Sequence, residues 1–85
     1  LVIGWETLSR INPRLVYASI SGFGQTGAAA AKPAYDIIVQ ALGGIMAVTG
    51  EPDGEPTLIG ESIADVVAGL FGSWAILAAL VERSR

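Results

Sequence analysis

Leu15-Val16-Tyr17-Ala18-Ser19-Ile20-Ser21, followed at once by Gly22-Phe23-Gly24-Gln25-Thr26-Gly27, decides how this chain is read. The first seven residues are mostly β-branched, aromatic or aliphatic, and turn residues bound them on both sides, which predicts a strand. Their near-continuous apolarity suits a strand covered on both faces, as in a parallel sheet. Upstream, Gly4 to Ile11 reads as a short helix ended by Asn12-Pro13, because proline disfavours the α conformation in the residue before it. Downstream, Pro33 precedes a predicted helix from about Ala34 to Val48. Its apolar positions Ile37, Ile38, Ala41, Leu42 and Ile45 recur at three- and four-residue spacing. The Gly43-Gly44 pair, costly inside a helix, points to close approach of another backbone or ligand. Thr49 to Gly60 reads as a surface connection with a turn at Pro52-Asp53-Gly54. A last helix is predicted from about Ile63 to Arg83. The expected class is therefore α/β, with one strand plus helices. A single strand makes no sheet, so its partners are expected in other parts of a larger protein.

Composition points the same way. Of the 85 residues, 52% are hydrophobic and only 15% charged, and the mean hydropathy is +0.56. Soluble domains carry about 25% charged residues, so this chain has too little polar surface to clothe a free-standing globule of its size. The absence of an initiating Met adds to the expectation that the chain is a piece of something longer. Residues 1–85 are expected to form part of one domain. A net charge of −3 with only five basic residues argues against a nucleic-acid partner. Cysteine and histidine are both absent, which removes disulfide frameworks, thiol catalysis, Cys/His metal sites and Ser-His-Asp chemistry. No metal site is expected. Val66 to Val81 is a run of 16 uncharged residues between Asp65 and Glu82. A membrane span needs about 20, so the expectation is a core helix and no membrane.

Three constellations could carry chemistry. Gly22, Gly24 and Gly27 match the G-x-G-x-x-G pattern of dinucleotide-binding turns and follow a strand. The third glycine should open a long helix that holds a pyrophosphate at its N-terminus. Pro33 interrupts six residues later, and the second strand with its ribose-binding acid is missing. A plain glycine-rich turn fits better.

Asp65 is the second. Ser62-Ile63-Ala64-Asp65 fits a capping box, in which Ser62 caps the helix and Asp65 reaches back to the Ser62 N–H. The same position suits a carboxylate nucleophile, because the helix dipole favours negative charge there and the apolar helix behind it holds it still. Both roles fit the local pattern. The third is Lys32-Pro33-Ala34-Tyr35-Asp36. Here Tyr35 could simply pack and Asp36 favour a first turn. Alternatively, Lys32 and the flat face of Tyr35 suit an anionic ligand with a thioester or flat part.

Beyond the individual motifs, the run Asn12 to Gly27 (NPRLVYASISGFGQTG) resembles the class III CoA-transferase family. So do Lys32-Pro33-Ala34-Tyr35-Asp36-Ile37-Ile38-Val39-Gln40, Val48 to Gly54 (VTGEPDG) and Ile63 to Leu70 (IADVVAGL). The likeness runs the length of the chain. It implies a fragment of a Rossmann-like large domain, in an enzyme whose two chains interlock as a homodimer. It implies that Asp65 is the catalytic nucleophile, passing through an aspartyl-acyl anhydride and an aspartyl-CoA thioester. It implies that Lys32, Pro33, Ala34 and Tyr35 run along bound coenzyme A. Acyl-CoA and a carboxylic acid would be substrates, with no permanently bound cofactor.

The racemase branch of the family has Gly-His-Asp where this chain has Ala34-Tyr35-Asp36. With no histidine, that proton-moving pair cannot be assembled here. A transferase is therefore expected. A racemase-like enzyme, or a non-catalytic piece acting as an interaction module, is the alternative. Ala28 departs from the proline usual after the Thr-Gly, and the family's other CoA-contacting residues and its mobile glycine-rich loop fall outside this chain. The piece alone is expected to be inactive. A cytoplasmic setting is expected, with a mitochondrial or peroxisomal parent as the alternative.

Overall fold

The computed structural model describes residues 3–85, so Leu1 and Val2 of the expected 1–85 domain piece lie outside the described residues. Helix α1 spans Trp5–Ile11, α2 spans Asp36–Leu42, a 3₁₀ turn covers Ile45–Val48, and α3 spans Ile63–Arg83. The first helix stops where Asn12-Pro13 predicts. The Asn12 N–H caps back onto the Leu8 carbonyl at 2.9 Å, and its side-chain Oδ1 accepts the Arg14 N–H at 3.0 Å. Trp5 of α1 lies against Tyr17, with ring centroids 6.2 Å apart.

Among the described residues there is no strand, which corrects the expectation for Leu15–Ser21. The physical reason is pairing. A strand exists only as a ladder with a neighbour, and no described segment lies beside this one to complete it. Instead the segment runs antiparallel along α3. Arg83 Nη1 donates to the Arg14 carbonyl at 2.6 Å, and a side chain placed at Gly72 would meet Ile20 Cδ1 at 2.7 Å. The helical rise between positions 83 and 72 is ~16 Å, which six residues match when extended (~20 Å) better than when helical (~9 Å).

The helix expected over Ala34–Val48 is also corrected. It begins at Asp36, with Tyr35 as its N-cap, and ends at Leu42. Gly44 has φ +86°, a left-handed conformation that glycine adopts freely and that commonly ends helices. The glycine pair thus terminates α2 and turns the chain into Ile45–Val48 rather than sitting inside one long helix. The Pro52–Gly54 turn forms as predicted, closed by the Gly54 N–H on the Glu51 carbonyl at 3.0 Å. The Thr57 N–H bonds the Met46 carbonyl at 3.0 Å and returns the chain toward α2.

Helix α3 forms over the predicted residues, and α2 packs against it. At 21 residues, it is long and apolar enough to cross a membrane by length and composition, longer than its 16-residue uncharged run suggests. Both of its ends carry polar ties to the rest of the chain, at Ala64 and at Arg83.

The shape is elongated, 54 × 29 × 19 Å, with a radius of gyration of 17.1 Å. A compact chain of this length would have roughly 12 Å. Its accessible surface is 6879 Å², against roughly 4,700 Å² for a folded monomer of this mass. Among the described residues no apolar side chain is buried, while Trp74, Phe71, Leu77 and Val81 on α3 are all more than half exposed. The low charge content noted in the sequence is thus matched by a chain whose apolar faces are not covered by itself.

Candidate active site

The head of α3 is where the polar chemistry converges. Ser62 occupies the N-cap position but its side chain makes no capping hydrogen bond, so the expected Ser62–Asp65 box does not form. The cap comes from another element. Asp36, the first residue of α2, turns its carboxylate onto α3, where Oδ1 accepts the N–H of Ala64 at 2.7 Å and that of Asp65 at 3.2 Å. These are the N2 and N3 donors that a local cap would take. The Ser62 N–H, which an N3 acid would bond in a capping box, is instead accepted by Glu61 Oε1 at 2.9 Å.

Asp36 is held in turn by Gln40, one helical turn further along α2. Gln40 Nε2 donates to Asp36 Oδ2 at 2.6 Å and to the Glu61 carbonyl at 3.2 Å, while its Oε1 accepts the Ile59 N–H at 2.9 Å. Gln40 is the one residue buried among those described, at 1% exposure. Its amide orientation is determined by its partners. Exchanging O and N would set its oxygen against the Asp36 carboxylate and the Glu61 carbonyl, and its NH₂ against the Ile59 N–H. The sequence reading quoted Gln40 only as part of a motif and did not pick out its role. The available signal was an Asp and a Gln at i, i+4, whose side chains meet on a helix.

Asp65 is exposed, and among the described residues its carboxylate accepts no hydrogen bond. It lies where two clefts adjoin. One, of about 490 Å³, is bounded by Tyr35, Asp36 and the Leu58–Ser62 segment. The other, of about 330 Å³, is bounded by Ile20–Gly22, Ala34, Val39, Ala64 and Ala68. Asp65 and Tyr35 line both clefts.

Of the residues singled out in the sequence, Ala34 and Tyr35 are thus brought beside Asp65. Lys32 and Pro33 line neither cleft; both are exposed in the bend that leads to α2. Tyr35 is 77% exposed, leaving its ring face open. The glycine-rich turn presses on this site from the other side, since a Cβ at Gly22 would overlap the Ala34 Cβ. Gly27 opens no helix, and residues 28–32 form turns and a bend, so this glycine-rich turn is not followed by the helix N-terminus a dinucleotide site needs.

A carboxylate with no hydrogen-bond partner among the described residues, at the head of a long helix and between two open clefts, is an arrangement that can attack an electrophilic carbon. Comparison with known proteins gives the class. CoA-transferase family III matches the chain over residues 1–85, and the chain belongs to that family. It is 55% identical over 86 aligned positions to acetyl-CoA:oxalate CoA-transferase of Acetobacter aceti, a match covering 100% of this chain and 22% of that protein. It is 47% identical to succinate–glutarate CoA-transferase of Agrobacterium fabrum, covering 98% of this chain and 21% of that protein. Among solved structures, a CAIB/BAIF family protein from Brucella suis superposes with a TM-score of 0.93 at 49% identity. That match covers 98% of this chain and 22% of the solved one. The chain therefore spans about a fifth of the length of the relatives it matches.

Proposed function

We propose that the complete protein containing this chain is a CoA-transferase that moves coenzyme A between an acyl-CoA thioester and a carboxylic acid, with Asp65 as the nucleophile. The observation that carries this is the Asp65 carboxylate at the shared edge of two clefts, unengaged among the described residues, in a chain that belongs to CoA-transferase family III throughout. The names of these relatives, which include oxalate, succinate and glutarate, support small carboxylic acids as the acyl groups exchanged.

In this mechanism an Asp65 oxygen attacks the thioester carbonyl carbon, and the C–S bond breaks to release CoA thiolate and leave an aspartyl-acyl anhydride. The thiolate then attacks the Asp65 carboxyl carbon, freeing the donor acid as its carboxylate and forming an aspartyl-CoA thioester. The acceptor carboxylate attacks that thioester, expelling the thiolate again. The thiolate finally attacks the acceptor's acyl carbon, giving the new acyl-CoA and restoring Asp65. No net proton or electron is consumed. Lys32 and Tyr35 are assigned to coenzyme A, the first as a cation for its phosphates and the second as a flat face beside the reacting carbon, with Pro33 and Ala34 shaping the path between them.

The same reading places residues 1–85 in the large domain, with 15–21 becoming a strand of a Rossmann-like sheet once neighbouring strands supply its ladder. The exposed apolar faces of α3 are assigned to contacts within an interlocked homodimer rather than to a membrane, and the setting to the cytoplasm. The absence of histidine in this chain favours transfer over racemisation.

Hydroxylamine added to the full-length protein during turnover with acyl-CoA attacks the activated Asp65 carboxyl carbon. The expected outcome is a hydroxamate on the Asp65 peptide by mass spectrometry. Asp65→Ala is expected to lower kcat roughly 10³-fold or more. An unlabelled Asp65 together with an active Asp65→Ala protein would exclude the mechanism.

A further inference from the structure

The nucleophile itself gives no account of why Asp36, Gln40 and Glu61 converge on the first turn of α3. We infer that Asp36, locked by Gln40, is a positioning residue that fixes the Asp65 backbone at the head of α3 for attack; this rests on the reading of Asp65 as nucleophile. A carboxylate at N3 of a helix ordinarily bonds back to the N-cap N–H and gains stability as a spectator cap. Here that N–H is already occupied by Glu61 Oε1, while Asp36 Oδ1 takes the N–H groups of Ala64 and Asp65 that a Ser62 hydroxyl would otherwise cap. Asp65 therefore keeps its lone pairs, while its own backbone is tied at 3.2 Å to a second helix.

The tie is rigid because its other end is buried. Gln40, 1% exposed, spends both amide hydrogens and its oxygen on Asp36, Glu61 and Ile59. The result joins α2, the 59–61 segment and the head of α3 in one network.

Asp36→Asn in the full-length protein tests this. Asparagine keeps the shape and can still accept the Ala64 N–H, but its NH₂ would face the Gln40 NH₂, donor against donor. The expected result is a kcat about 10- to 100-fold lower, with KM for acyl-CoA changed less than about threefold, as for a misplaced reacting group. Hydroxamate formation at Asp65 should slow by the same factor, and Asp36→Glu, which restores a carboxylate, should recover part of the loss. Rates are normalised to the folded fraction measured by circular dichroism. A folded Asp36→Asn protein with kcat within twofold of the parent would overturn the inference. So would a loss that vanishes on normalisation, or an Asp36→Glu variant no faster than Asp36→Asn. If the parent labels at Asp65 but Asp36→Asn is undiminished, positioning fails and the nucleophile stands. If the parent does not label at Asp65, both fail together.

Discussion

Asp36 Oδ1 accepts the Ala64 N–H at 2.7 Å, so the first residue of α2 caps a helix whose head lies 28 positions further along the chain. The bond fixes how the two helices meet, and through them the place of Asp65. Its strength depends on Gln40, which holds the other Asp36 oxygen at 2.6 Å.

Replacing Gln40 by Leu should therefore destabilise more than a loop substitution would. The change leaves the Ile59 N–H, the Glu61 carbonyl and Asp36 Oδ2 without their partner, at a cost of about 1–3 kcal/mol. Denaturant unfolding of the full-length protein measures it. A change below about 0.5 kcal/mol, the range of ordinary surface substitutions, would argue against the network.

Gly22→Ala puts a methyl group onto the Ala34 Cβ and should cost about 1–3 kcal/mol by overpacking. Ala34→Gly in the same chain removes the obstacle. A double-mutant cycle should then give a favourable coupling of about 0.5–3 kcal/mol, and simple additivity would show that the two do not touch.

Gly44→Ala should destabilise by about 1–2 kcal/mol, because a Cβ is strained at a φ of +86°. Gly44→Asn should cost less, since asparagine tolerates the left-handed region. Equal losses for the two would point to packing instead of backbone conformation.

Lys32→Ala should raise KM for acyl-CoA about two- to fivefold, the range for losing one exposed ion pair with a phosphate. The rise should shrink at high salt, where such pairs are screened. Steady-state kinetics at two ionic strengths decides it, and an unchanged KM would remove Lys32 from the CoA path.

Expressed alone, residues 1–85 should show no sharp unfolding transition, because no apolar side chain among those described is buried and the surface is far larger than a compact monomer's. A cooperative urea transition for the isolated chain would favour an independent interaction module.

Several features were readable from local pattern alone. The stop of α1 at Asn12-Pro13, the turn at Pro52–Gly54 and the whole of α3 depend on residues a few positions apart, so short-range sterics and helical periodicity determine them. The ordered motifs from Asn12 to Leu70 were likewise enough to point to the family. The tertiary structure decided three things that no local pattern encodes. Residues 15–21, strand-like in sequence, carry no ladder among the described residues, because a strand depends on a partner as much as on its own side chains. The helix expected to run through Gly43-Gly44 ends there, because Gly44 takes a left-handed conformation that the sequence permits without requiring. Most of all, Ser62 and Asp65 have the spacing of a capping box, yet the cap is Asp36. A contact across 28 residues, fastened by the buried Gln40, took the donors that Ser62 would cap, and Glu61 took the N–H that the Asp65 carboxylate would bond. Sequence by itself determined which residues could cap that helix; only the packing of α2 against α3 decided which one does.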